Sequence, residues 1–387
     1  MKRKSIFLIL SLTGLSNIGM NFHHPITPTL FTDLNLPSYI FGTSFAVMCL
    51  FSFLSSMYWG DKINSIGRVK VFAICTFAYG IGQFFLLIAP NEMFIYFGRA
   101  ISGIFASGAA VSALTYLLDI VSVEKRGHYI AISTAIITVC STIGFLFGGI
   151  LGEFHYKYSL IFQVIWMFVL AILSLLLLEE TNNKDNYNTS SSFNPFMARH
   201  HMTFSLAIIL FIVFFANFAS SSYDNSFNYY LKAVLDLTPI ANGVFKFIFG
   251  IVGLIANMTL NIWIVKKTNI NVSLTIVLVL CALFAFGSLY FEGIIPFIIF
   301  NIIFFGFNSV YLSLLQTISL NSKSTDEISI ISGIINSFKS LGMVCGATVA
   351  GFVFDIDADL PFIISICMFI IAAIFTLTTI RKKEQSN

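Results

Sequence analysis

The chain has 387 residues, of which 57% are hydrophobic and only 10% charged. So few polar groups cannot cover a water-soluble surface, and the long apolar runs point instead to a lipid solvent, where backbone groups are satisfied inside helices. The net charge of +3 gives no basic field for nucleic acid. The six cysteines lie inside apolar runs and read as small hydrophobes, not as a disulfide framework or a metal centre.

Met1-Lys2-Arg3-Lys4 and the apolar residues after it imitate an export signal. The run continues to His23-His24-Pro25 without a small-residue cleavage site, so it is taken as an uncleaved first span. Apolar runs predict twelve membrane helices, over 5–28, 38–59, 69–89, 93–118, 128–152, 158–178, 203–231, 239–264, 271–291, 293–319, 328–353 and 361–380. Most are near the ~20 residues a bilayer crossing needs. With the N-terminus inside, sixteen of the 21 Lys and Arg fall on inner segments, and only Lys157 and Lys232 on outer ones. The outer loops carry acids, among them Asp33, Glu92, Glu153, Asp236 and Asp359. This segregation predicts a multi-pass plasma-membrane protein with both termini cytoplasmic. Glu179 to His201 is the one long polar stretch. It predicts a flexible cytoplasmic linker over 179–202, between six-helix halves 1–178 and 203–387.

The halves echo each other. Asn17, Asn21, His24 and Pro28 in span 1 share their spacing with Asn217, Ser221, Asp224 and Asn228 in span 7, and that spacing puts four positions on one helix face. Gly144, Gly148, Gly149 and Gly152 in span 5 have counterparts in Gly342, Gly346 and Gly351 of span 11. Two such halves around a midplane site are the architecture of alternating access. Asn17, Asn21, Asn217, Ser221 and Asn228 are candidates to line a substrate cavity. Asn301 and Asn308 of span 10 either join them or bond neighbouring helices.

Three bases lie within spans: Arg99, Lys246 and Lys339. Lys339 is expected to snorkel to the inner surface. Asp224, before the outer end of span 7, and Lys246, after the start of span 8, lie at the same depth of about 10 Å. Either they form an ion pair that protonation of Asp224 breaks, or each reaches the headgroups separately. His24 is either a proton relay or a hydrogen-bonded residue where Pro25 and Pro28 bend the helix. No phosphate-binding Gly-x-x-x-x-Gly-Lys-Ser/Thr loop is present, which argues against a built-in ATPase, and no nucleophile and base mark an enzyme.

Gly60-Asp61-Lys62-Ile63-Asn64-Ser65-Ile66-Gly67-Arg68, between spans 2 and 3, resembles the Gly-x-x-x-Asp-x-x-Gly-Arg loop of the major facilitator superfamily. Asn64 stands in the acid position, with Asp61 about one turn earlier. Arg99-Ala100-Ile101-Ser102-Gly103 resembles that superfamily's Arg-x-x-x-Gly motif of span 4. Asp119 through Glu124-Lys125-Arg126-Gly127 looks like its acidic-then-Arg-Gly exit. Gly144-Phe145-Leu146-Phe147-Gly148-Gly149 resembles the Gly-Pro-x-x-Gly-Gly associated with drug:proton antiporters, with Phe145 for the proline.

The likeness covers essentially the whole chain and implies an all-α fold of twelve membrane helices in two pseudo-symmetric halves. It also implies a gating loop (Gly60, Asp61, Asn64, Gly67, Arg68) whose acid lies near the start of span 11. Gly103, Gly144, Gly148 and Gly149 are implied to pack helices, and Arg99 to take part in proton coupling. The expected function is proton-coupled efflux of small amphipathic compounds or drugs by a bacterial monomer without a cofactor. Its partners would be the substrate, protons and the lipid bilayer. Phe145 mildly favours the alternative of proton-coupled uptake or facilitated diffusion of a metabolite. A third reading is a membrane sensor that does not transport.

Overall fold

A computed structural model describes residues 2–181, 204–291, 293–320 and 325–386, and among them every regular element is a helix. Along the chain these are α1 (Lys2–Met20), α2 (Thr27–Asp33), α3 (Tyr39–Ile66), α4 (Arg68–Leu87), α5 (Glu92–Ile120), α6 (Arg126–Phe154) and α7 (Tyr156–Leu177). They continue as α8 (Phe204–Ala233), α9 (Pro239–Ala256), α10 (Ile262–Lys267), α11 (Ile270–Tyr290), α12 (Ile294–Leu320), α13 (Thr325–Phe354) and α14 (Leu360–Ser386). Eleven helical segments among the described residues are long and apolar enough to cross a membrane, α9 to α10 counting as one. The first predicted span is two pieces, α1 and α2, separated by the unwound stretch 21–26.

Two elements depart from expectation, each for a local reason. The turn predicted around 60–70 is almost entirely helical: α3 runs through Gly60, Asp61 and Asn64 to Ile66, and Gly67 alone links it to α4. Gly67 has φ +109° and ψ 150°, a conformation essentially reserved for glycine, and it stops the helix. In the eighth span a π-turn over Asn257–Asn261 joins α9 to α10. Asn257 bonds there to the hydroxyl of Ser309 and accepts from Ser313 at 2.5 Å. The predicted linker, 179–202, lies outside the described residues beyond Thr181.

The chain forms two compact units, Met1–Asn188 with Asn228–Phe247, and Thr189–Phe227 with Ile248–Asn387. The stretch 228–247, the tip of the α8–α9 hairpin, groups with the first unit. In that unit α4 packs against α5 and α7, α5 against α3, and α1 against α6. Small residues permit this: a Cβ on Gly82 would lie 2.8 Å from the Gly98 carbonyl, and one on Gly103 only 2.2 Å from that of Met48. The second unit repeats the plan, with α11 against α12 and α14.

Candidate functional site

The break in the first span is built into the fold rather than frayed. Pro25 and Pro28 remove two backbone donors, so α1 cannot continue and its carbonyls must find other partners. All but one find a side chain. Gln163 Nε2 donates to Gly19 O at 2.7 Å, the Tyr79 hydroxyl to Met20 O at 3.0 Å and Ser159 Oγ to Phe22 O at 3.1 Å. Thr27 Oγ1 donates to His23 O at 2.6 Å, Asn228 Nδ2 to His24 O at 3.1 Å and Asn242 Nδ2 to Pro25 O at 3.4 Å. The remaining carbonyl, of Asn21, accepts from the His24 amide at 3.4 Å.

The break turns polar side chains into the first unit. His23 is fully buried and stacks on the partly exposed His24 at 4.3 Å. The ring of Phe145 meets His24 edge-on at 5.3 Å. Arg99, 3% exposed, donates through Nη2 to Thr27 Oγ1 at 3.2 Å and lies 4.0 Å from Met48 Sδ through Nη1. Gly103, one turn along α5, sets that approach by letting α5 touch the Met48 carbonyl. Gln83 bonds Ser102 at 2.9 Å close by. Lys246, also buried, is within electrostatic reach of His24.

The glycines of α6 seat it on α1 and on the hairpin tip. A Cβ on Gly144 would lie 2.4 Å from Ile18 O, on Gly148 2.2 Å from Phe22 O, and on Gly149 2.6 Å from Pro239 O. The second unit has the same seam, with Gly342 on Phe214 O and Gly346 on Phe218 O. This register corrects the sequence repeat by one helical turn. Asn21, against Gly144, is the counterpart of Asn217, against Gly342. Each donates to the carbonyl four residues earlier, as does Asn17. In the same register the contact of Arg99 with Thr27 corresponds to that of Asn301 with Tyr223, whose hydroxyl donates to Asn301 Oδ1 at 2.9 Å.

The other candidate polar residues lie as follows. Asn301 is fully buried; its amide nitrogen donates within α12 to Phe297 O at 2.8 Å and its Oδ1 accepts from Tyr223 of α8, so it joins helices. Ser221 donates to Met343 O at 2.9 Å, and Asn228 accepts from Asn242 at 2.7 Å. Asn308 is mostly buried, with its Oδ1 unpartnered among the described residues. Asp224 is partly exposed on α8.

At the predicted gating loop, Arg68 is the buried element. Its Nε donates to Asp119 Oδ2 at 2.9 Å and its Nη1 to Ile63 O at 3.2 Å. Asp61 and Asn64 are exposed on the last turns of α3. The carboxylate at the start of α4 comes from Glu180, which accepts from the backbone N–H of Arg68 at 2.7 Å and of Val69 at 3.2 Å. An anion there is favoured by the unpaired amides and the helix dipole. Thr181 Oγ1 adds a bond to Asp119 at 3.1 Å. Sequence reading missed Glu180 and the buried set His23, Tyr79, Gln83 and Gln163. The only sequence signal of the buried four is polarity inside apolar runs, and Glu180 stands in the polar stretch after span 6. The start of span 11, where the loop acid was expected, has no described side chains.

The sequence profile of the Major Facilitator Superfamily matches residues 9–344. Multidrug resistance protein 2 of Bacillus subtilis is 22% identical over 100% of this chain and 98% of its own length. Multidrug resistance protein 1 of the same organism is 24% identical over 94% of this chain and 93% of its own length. Quinolone resistance protein NorA of Staphylococcus aureus is 21% identical over 94% and 93%. Among solved structures, a bacterial homologue of the human lysosomal transporter Spinster has a TM-score of 0.78 at 13% identity, covering 98% of this chain and 97% of that one. The nucleoside transporter NupG has a TM-score of 0.76 at 12% identity, covering 96% and 98%. At such identities the structures speak for the fold alone. With the profile spanning most of the chain, the protein belongs to the Major Facilitator Superfamily and is a multi-pass membrane transporter, not an enzyme.

Proposed function

We propose that the protein exports small amphipathic compounds in exchange for protons, by alternating access, from the cytoplasm of a bacterium. The observation that carries this is the full-length similarity to two Bacillus multidrug resistance proteins. The glycine seam of α6 on α1 supports it: Gly144, Gly148 and Gly149 keep their close approaches although Phe145 replaces the proline.

In this reading Asp224 carries the coupling proton, Lys246 is its charge partner, and Arg99 with His24 tunes the drive. Substrate lies against the first, fourth, seventh, eighth and tenth spans. Both termini are cytoplasmic, and the working unit is a monomer in the plasma membrane. The halves run over 1–178 and 203–387, joined by the stretch 179–202.

The test is a pH-gradient dye assay in inverted vesicles against a panel of candidate drugs. Wild type is expected to release protons on addition of a substrate. Asp224→Asn is expected to lose about 100-fold or more of the proton-driven rate while retaining substrate binding. Full proton-coupled transport by Asp224→Asn overturns the assignment of the carrier. Absence of drug-induced proton release in wild type overturns antiport.

A further inference from the structure

Among the described residues of the first unit two guanidiniums are buried: Arg68 meets the carboxylate of Asp119, and Arg99 meets none. Every Asp and Glu lies in a connection or within two turns of a helix end. Arg99 stands two turns into α5, almost fully buried, and no carboxylate contacts it. Its five N–H groups meet one neutral hydroxyl and one thioether, and its Nε meets nothing. A cation held this way in a low dielectric costs several kcal/mol unless a counter-charge is supplied.

His23 lies in the unwound stretch, one turn before Thr27, which begins α2. Gln163 gives one amide proton to Gly19 O, so its Nε2 is the atom that faces His23 Nδ1 at 3.4 Å. Tyr79 spends its hydroxyl proton on Met20 O and lies 3.5 Å from the same Nδ1. His23 Nε2 is buried and has no partner.

The corresponding crossing in the second unit shows that packing does not require a charge. There Asn301 and Tyr223 are neutral and bonded to each other, and Tyr223 also contacts Ser288 at 3.0 Å. The first unit therefore spends a charge at a place where its own repeat uses an amide. A buried guanidinium whose Nε–H has no partner and whose charge meets no carboxylate among the described residues has the elements that recognise an anion.

We propose that the pocket formed by His23, Thr27, Met48, Tyr79 and Arg99 binds a monovalent anion, a halide or a carboxylate, as the counter-charge of Arg99. The inference does not rest on export or on proton coupling. The anion is supplied either by the medium or by a carboxylate on a transported compound.

The experiment uses the purified full-length protein. Thermal unfolding is followed in sodium chloride or sodium acetate, with a bulky sulfonate as the replacing salt at constant ionic strength. Trp166, which lies against Gly19, provides a nearby fluorescent reporter. Wild type is expected to show a saturable rise in midpoint with chloride or acetate, and Arg99→Gln none. A wild-type midpoint indifferent to both anions, or an equal response in Arg99→Gln, overturns the proposal. If Arg99→Gln fails to assemble, wild-type crystals grown in bromide decide: anomalous density beside Arg99 upholds the site, and its absence overturns it. Benzoate and methyl benzoate then identify the source. Competition with chloride by benzoate alone assigns the site to a substrate carboxylate, and competition by neither assigns it to a free halide.

Discussion

Gly67 and Gly60 belong to one sequence motif, yet the structure gives them opposite demands. Gly67 sits at φ +109°, and a Cβ there would lie 2.4 Å from a Glu180 carboxylate oxygen. Gly60 is helical, with nothing within 4 Å of a Cβ. Gly67→Ala is therefore expected to destabilise the protein by about 1–3 kcal/mol through backbone strain and displacement of the Glu180 cap. Gly60→Ala is expected to be neutral or to add up to about 1 kcal/mol, since alanine is the better helix former. Thermal unfolding of the two purified variants checks this, and equal effects would refute the backbone argument. The motif was legible as letters. Which letter does the work was not, because the acid that meets Arg68 and Val69 comes from more than a hundred residues away.

At the scale of elements, the apolar runs located the helices, because a bilayer crossing leaves a long signal. They did not reveal that the first span is broken, since Pro25 and Pro28 look the same in a bend as in a break. The partners that satisfy the break come from α4, α7 and the α8–α9 hairpin, and periodicity does not connect those places. Gln163→Leu is expected to cost about 1–3 kcal/mol, because it leaves Gly19 O with only the long bond from the Phe22 N–H at 3.3 Å and removes the amide beside His23 Nδ1. Ser159→Ala should cost less, as a hydroxyl of one carbonyl only. A ranking of thermal midpoints in the reverse order would contradict this account.

A second element-level expectation concerns the turn before α14. Partial burial, with Asp357 beside it, raises the proton affinity of Asp359 above that of an ordinary aspartate. Its ionised form is thus disfavoured in the fold, so its penalty is present at neutral pH and fades as the pH falls into the carboxylate range. Asp359→Asn should raise stability slightly at neutral pH, by less than about 1 kcal/mol with solvent screening, and should have no effect in acid. Denaturation curves at the two pH values make the comparison.

For the molecule as a whole, the two seams of close backbone contact are the clearest sign of the repeat. Gly148 on Phe22 O and Gly346 on Phe218 O are the same contact made twice. Gly148→Val and Gly346→Val are each expected to abolish accumulation of folded protein in the membrane, where a control such as Gly127→Ala, with open space around it, does not. Near-normal yields of either valine variant would show that the crossing tolerates separation. The repeat was visible in the sequence through these glycines. Its register was not, because asparagines one turn apart on the same face satisfy the spacing equally well.

The bonds of Glu180 and Thr181 also have a mechanical meaning. They are the last described residues of the polar stretch on its way to α8. Tension arriving along that stretch reaches the first turn of α4 and the Arg68–Asp119 pair before it reaches the tail of α7. The chain is thus moored at a point away from the helix it has just left, and a strain gauge for that tether, if one were built, would be read at Gly67.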